Sequence, residues 1–311
     1  MKVVDFHCDV LCKLLEDEQL TFQGGKPGTL DVTYERLQAS GTVLQTFAIY
    51  IPRAVSGRLE PILESIDRFH EQVLTCDNMA WVRSASDLEH CLETGKIGAL
   101  LSLEGVDGLQ GNMSMLRTLH RLGVRAAGMT WNNANWAADG VMEPRGGGLT
   151  GLGRQFVDEC DKWGILLDVS HLSEQAFWDT AERTKRPIIA SHSNAKGVYD
   201  HPRNLSDEQI KRIIAKDGML GITFVPYFLS ESERVTIDDV VRHIEYMCEL
   251  GGERSIMLGS DFDGIDAYVE GLTHPGELVN LKETLLKRYT EQQTERFFSG
   301  NAIDFLLKQL P

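Results

Sequence analysis

Residues 2–9 read Lys2-Val3-Val4-Asp5-Phe6-His7-Cys8-Asp9, a short apolar run that ends on an imidazole and a carboxylate. The run reads as a β-strand, and side chains two apart on a strand point the same way. His7 and Asp9 are therefore expected to face one point, within reach of a single metal ion, with Cys8 turned away into packing. No GxGxxG or Walker sequence follows this strand. That absence weakens the reading of an open, doubly wound nucleotide-binding sheet.

Seven further runs of the same character recur: Thr42–Ile51, Ile97–Leu103, Val124–Trp131, Ile165–Ser170, Pro187–Ser191, Met219–Val225 and Ser255–Ser260. Continuous apolar character, rather than alternation, predicts strands buried on both faces of a parallel sheet. Helix-like stretches separate them, at Leu59–Leu74, Met113–Leu122, Leu152–Trp163, Glu174–Arg183, Asp207–Lys216 and Ile237–Leu250. Ser173 and Ser206 are expected N-caps. Gly123, Gly164, Gly218 and Gly251 are expected to end helices in the left-handed conformation. Eight strand–helix units in about 260 residues match the rhythm of a (β/α)8 barrel, the TIM-barrel class. The tail Glu277–Leu310 reads as further helices, broken near Ser299-Gly300, and Gly146-Gly147-Gly148 as a flexible loop. No Pro- or Ser-rich linker, repeat or low-complexity segment divides the chain, so a single domain over residues 1–311 is expected.

The 311 residues carry 46 acidic and 31 basic side chains, a formal net charge of -15. Phosphate binding needs clustered Lys and Arg, so a nucleic-acid or anionic-membrane partner is disfavoured. A small anionic substrate is not, because one local Arg can hold it. The six cysteines are scattered and none forms a CxxC pair. They read as free thiols of a reducing compartment. With neither a secretory signal nor a membrane-spanning run visible, a cytoplasmic protein is expected. A homodimer stays open as its assembly.

Barrel enzymes build their sites where the strands end. The expected strands end in His7 and Asp9, in Glu104, in Trp131-Asn132-Asn133, in Asp168-Val169-Ser170-His171, in Ser191-His192-Ser193 and in Ser260-Asp261-Phe262-Asp263-Gly264. Taken singly, each has a plain structural role available, as a cap, a turn residue or a hydrogen-bonded partner. Together they put three imidazoles and several carboxylates on one face. That is the ligand set of divalent zinc and its neighbours, and so many buried carboxylates are costly without cations. Five or six candidates suit two metals better than one, with Glu104 bridging. Two metals can acidify a shared water, and Asp261 is placed to carry its proton to a leaving group. Arg203, in His201-Pro202-Arg203, is the candidate clamp for a substrate carboxylate.

These segments, in this order, resemble the membrane (renal) dipeptidase family, the M19 metallopeptidases. The matching motifs are His7-Cys8-Asp9, Leu103-Glu104-Gly105, Asp168-Val169-Ser170-His171, Ser191-His192-Ser193, His201-Pro202-Arg203-Asn204 and Gly259-Ser260-Asp261-Phe262-Asp263-Gly264. The resemblance implies an amidohydrolase-like barrel with two zinc ions. His7 and Asp9 would hold one zinc, His171 and His192 the other, with Glu104 bridging and Asp261 beside the first as proton shuttle. Arg203 would bind the C-terminal carboxylate. The implied reaction is hydrolysis of a free dipeptide, often with a D-residue tolerated at the C-terminal position. One position departs. Family members such as the mammalian enzymes carry a His where this chain has Trp131, so Trp131 and Asn132 (or Asn133) are expected to contact substrate instead. The rivals are another barrel hydrolase, such as a lactonase, and a non-enzymatic metabolite-binding barrel.

Overall fold

A computed structural model describes residues 1–24 and 30–311. Nine strands lie parallel in one sheet: β1 (Val3–Asp5), β2 (Thr42–Tyr50), β3 (Met79–Trp81), β4 (Ile97–Glu104), β5 (Val124–Gly128), β6 (Leu166–Asp168), β7 (Ile188–Ala190), β8 (Met219–Ile222) and β9 (Ile256–Leu258). β1 pairs with both β2 and β9, and β2 pairs with β4. Eight strands thus close on themselves, with helices around them. β3 stays outside the ring. It pairs with Ile97–Ala99 at the start of β4, and β5 takes over from Leu101 onward.

One apolar cluster receives a residue from every barrel strand: Val4, Leu44, Leu100, Ala126, Leu166, Ile189, Met219 and Met257. A cluster fed by all eight strands is the barrel interior, filled with side chains as in other barrels of this size. Phe305 and Leu306 of the last helix, and Leu310 just after it, join it and close one end. Because side chains alternate along a strand, residues two and four beyond an interior residue also face inward. Glu104 stands four after Leu100, Asp168 two after Leu166, and Ser191 two after Ile189. The packing of the lower barrel therefore aims these polar groups at its open end.

The first strand ends at Asp5, and Asp9 is already the residue that begins the helix Val10–Glu16. Between them Cys8 still pairs in parallel with Phe262 as an isolated bridge, and His7 and Asp9 on either side of it face one point, as the sequence leads one to expect. The Asp5 carboxylate accepts from the His7 amide at 3.2 Å. Cys8 does turn away, its thiol 3.4 Å from the Thr46 carbonyl in the core.

Other expectations need correcting. Ser173 and Ser206 do cap their helices, and Gly123, Gly164 and Gly251 do adopt positive φ. Gly218 does not; Asp217 takes the left-handed turn at φ 53°. Gly218 is small for another reason, since a Cβ there would sit 2.2 Å from the Ile188 carbonyl oxygen. The tail is not broken at Ser299-Gly300. A wide turn over Arg296–Gly300 runs directly into the helix Asn301–Gln309. The Gly146–Gly148 loop is tied down, with the Gly147 amide donating to Asp139 at 2.7 Å and its carbonyl accepting from Ser173 at 2.6 Å. Strand β3 and the helices Val10–Glu16, Tyr34–Ser40 and Ala85–Thr94 are additions to the expected elements. No helix among the described residues is long and apolar enough to cross a membrane.

Candidate active site

The barrel mouth opens into a cavity of about 350 Å³ lined by Asp9, Glu104, Trp131, Asn132, His171, His192, Arg203 and Asp261, among others. Of the expected metal-binding residues, Asp9, Glu104, His171, His192 and Asp261 line this cavity, as do the expected substrate contacts Trp131, Asn132 and Arg203; His7 and Asn133 do not. His7 Nε2 lies 3.4 Å from Asp9 Oδ2, 3.3 Å from Glu104 Oε2 and 3.6 Å from Asp261 Oδ1. The other Glu104 oxygen, Oε1, lies 2.8 Å from His171 Nε2 and 3.8 Å from His192 Nε2. Glu104 thus offers one oxygen to each half of the cluster. Two donor groups, His7–Glu104–His192 and His7–Asp9–Asp261, each hold their ligand atoms within 4.8 Å of one another.

The hydrogen-bond network sets which imidazole nitrogens carry protons. Ser191 donates its hydroxyl to Asp168 and so accepts from His192 Nδ1, at 2.8 Å. Asn132 Oδ1 can only accept, so His171 Nδ1 donates to it at 2.9 Å. Both rings then present an Nε2 lone pair, and the two Nε2 atoms face each other 2.7 Å apart. Two lone pairs do not bond each other. A cation between imidazoles and carboxylates resolves the contact, and the far nitrogens are held as metal-binding histidines usually are. His7 Nε2 and Asp9 Oδ1 tell the same story, being buried without any hydrogen-bond partner. The donor set fits a pair of divalent cations.

The electrostatics agree. Burial pushes the Asp261 carboxyl well above its usual pKa; His7 opposes this, and Asp9 and Glu104 add to it. Burial works against a charged His7, but Glu104 and Asp9 outweigh it and raise its pKa well above the usual value. Burial and the nearby Arg203 take His171 down to about 4, which keeps its ring neutral and able to ligate. Asp261 sits in the left-handed region at φ 69°, a conformation retained where surrounding contacts impose it. Gly264 shows why its segment ends in glycine: a Cβ there would lie 2.2 Å from Asp9 Oδ2 and 2.7 Å from Asp261 Oδ1. Asp263 is not part of the cluster, since its two oxygens accept from the Asp31 and Val32 amides at 2.8 and 2.9 Å.

Arg203 is buried beside the cluster. Its guanidinium donates to the Ser170 and His192 carbonyls and reaches His171 Nε2 at 3.2 Å, while Nε has no partner. Phe228 packs against it at 5.4 Å. Trp131 lies in the loop beyond β5, with its ring 5.3 Å from Tyr50 and 6.3 Å from His171. Two contributors were not singled out from the sequence as working residues. Asp5 accepts from the His7 and Ser260 amides. Asp168 accepts from the amides and hydroxyls of both Ser170 and Ser191. Their signal was an acid inside or beside an apolar strand, where burial demands a partner.

With this geometry in view, the comparisons converge. The membrane dipeptidase family, peptidase family M19, matches residues 1–308. The chain belongs to that family. It is an enzyme of the metallo-dipeptidase class. Dipeptidase tcpJ of Claviceps purpurea is 32% identical over 237 residues, which are 75% of this chain and 56% of that one. The chain thus spans little more than half of that relative. Two solved structures match over nearly their full length. One is a metallo peptidase from Rhodobacter sphaeroides liganded with a phosphinate mimic of the dipeptide L-Ala-D-Ala. It has a TM-score of 0.91 and 26% identity, and covers 100% of this chain and 99% of that one. The other is the dipeptidase AC, of family M19. Its TM-score is 0.92 and its identity 27%, over 100% and 98% of the two chains.

Proposed function

We propose that this protein is a cytoplasmic, zinc-dependent dipeptidase that cleaves the peptide bond of free dipeptides, including those with a D-residue at the C-terminal position. The observation that carries this reading is the pair of facing Nε2 lone pairs of His171 and His192 beside a carboxylate whose other oxygen faces His7. His7 and Asp9 would hold one zinc, His171 and His192 the other, and Glu104 would bridge. When bound, the zinc pair supplies an acidified water and a Lewis acid for the scissile carbonyl.

The chain's own residues supply the rest. Asp261 would take a proton from the attacking water and give it to the departing amine. Arg203 would pair with the C-terminal carboxylate, with Phe228 fixing its plane. Asn132 holds the His171 ring in its ligating tautomer, and Trp131 walls the cavity. The Rhodobacter neighbour's ligand, a mimic of L-Ala-D-Ala, supports the L,D-dipeptide class. Six free cysteines, five of them buried, support a reducing location.

A panel of L-Ala-L-Ala, L-Ala-D-Ala and their C-terminal amides, assayed on zinc-reconstituted protein, tests the reading. Free dipeptides are expected to turn over and the amides to lose at least about tenfold in kcat/KM, the loss of one charge-assisted contact. Hydrolysis of free and amidated forms at equal rates would sink the Arg203 role. No hydrolysis at all with metal bound would sink the activity.

A further inference from the structure

A second cavity, of about 210 Å³, adjoins the first. That is several times the roughly 30 Å³ share of a water molecule, so it has room for a side chain. Only Glu104 and Trp131 line both cavities, so the two meet at the carboxylate in the centre of the cluster. The second cavity lies among the ends of β2, β4 and β5, whereas Arg203 comes from the segment between β7 and β8. In the strand order these are opposite sides of the barrel mouth.

Resting on the dipeptidase reading above, we propose that this second cavity receives the amino-terminal residue of the substrate and selects an acidic side chain there, through Arg53. A dipeptide with its carboxylate on Arg203 and its scissile carbonyl at the Glu104 cluster must send its other end across the mouth. Two charged side chains besides Glu104 line that side, Arg53 and Asp107. Asp107 is half-buried and fixed by Asn135, whose amide donates to Oδ2 at 2.9 Å. Arg53 is exposed and, unlike its neighbour Arg58, which lies 3.6 Å from Glu60, has no carboxylate partner among the described residues. Every free dipeptide carries an ammonium at this end, and Asp107 answers it. That leaves Arg53 as an unmatched cation. An amino-terminal Glu or Asp brings one cation and one anion to a cavity offering one anion and one cation. A Lys or Arg would bring two cations against Arg53. Trp131, its ring 5.3 Å from Tyr50 and tilted 53° to it, lines both cavities and forms the wall between this residue and the carboxylate end.

The test compares kcat/KM for L-Glu-L-Ala with that for the neutral isostere L-Gln-L-Ala, on zinc-loaded wild type and on Arg53→Gln, Arg53→Lys and Arg53→Glu. Wild type is expected to favour Glu by about fivefold, mainly through KM, as a part-exposed ion pair allows. The ratio should fall to about one in Arg53→Gln, persist in Arg53→Lys and invert in Arg53→Glu. A wild-type ratio of one or less, or a ratio unmoved by Arg53→Gln, overturns the inference while leaving dipeptidase activity standing. A loaded enzyme that cleaves no dipeptide overturns both.

Discussion

The two ends of this barrel are built from the same strands and solve opposite problems. At the closed end, Leu44, Leu100, Leu166 and Met257 are buried with apolar neighbours and capped by Phe305 and Leu310. At the open end, two to four residues along the same strands, stand Glu104, Asp168, Ser191 and His192, and buried donor atoms go unpaired. Burial stabilises the first set and penalises the second. The contrast teaches that the open end is held in place by the closed one. The packing of Leu100 and Leu166 aims Glu104 and Asp168 into a cluster they would not form unaided.

The largest expected effect breaks the contrast at the open end. Glu104→Gln removes the carboxylate proposed to bridge the metals and should cut kcat/KM by more than about 10⁴-fold, roughly 5 kcal/mol of transition-state stabilisation. The metal-free variant should unfold at a lower temperature than the metal-free wild type: burial opposes the Glu104 charge, but His7 and His171 outweigh it and hold its pKa well below the usual value, so the change strips a buried partner from His7. An unchanged or raised apo melting temperature would show that the carboxylate is a net cost to the empty fold. At the closed end, Leu100→Ala should leave activity in place. Its fully buried side chain predicts a loss of about 2–5 kcal/mol in urea unfolding, with kcat within a few-fold of wild type in the folded protein.

A buried imidazole outside the cluster sharpens the comparison. His243 has both nitrogens satisfied, Nδ1 accepting from the Ala195 amide and Nε2 donating to the Leu229 carbonyl, each at 3.1 Å. Burial, its main cause, lowers the His243 pKa to about 4, against 6.5 in the unfolded chain. The folded state therefore favours the neutral ring. This stability is fully present above pH 6.5 and is lost as pH falls from 6.5 towards 4, by up to about 3 kcal/mol. Unfolding of wild type and His243→Gln at pH 7 and 4.5 should show a smaller acid loss in the variant. Equal losses would remove His243 as the cause. The smallest effect is at Ser191, which links His192 to Asp168. Ser191→Ala should weaken zinc affinity by about 10–100-fold while the empty protein keeps its melting temperature within a few degrees.

Much of this contrast could be read from the linear chain, because strand ends announce themselves where an apolar run gives way to His, Asp or Glu. Glu104, His171, His192 and Asp261 were visible for that reason. Asp168 was visible but not its task, which depends on Ser191 lying across a strand pairing 23 residues away. Asp5 works against Ser260, 255 residues distant. The strand Met79–Trp81 was hidden because it is only three residues long and pairs outside the ring. The convergence of His7 and Asp9 was anticipated, although the regular strand stops at Asp5 and Asp9 already opens a helix. Asn132, expected to contact substrate, lines the cavity and also accepts from His171 Nδ1, a bond across 39 residues that the sequence does not reveal.

We propose that the open end of the barrel holds two cations astride Glu104. Anomalous diffraction at the zinc edge from crystals of zinc-reconstituted protein tests it most directly. Two peaks per chain are expected, one beside His7 and Asp9, one beside His171 and His192, with Glu104 between them. A single peak, or zinc bound away from Glu104, would contradict it.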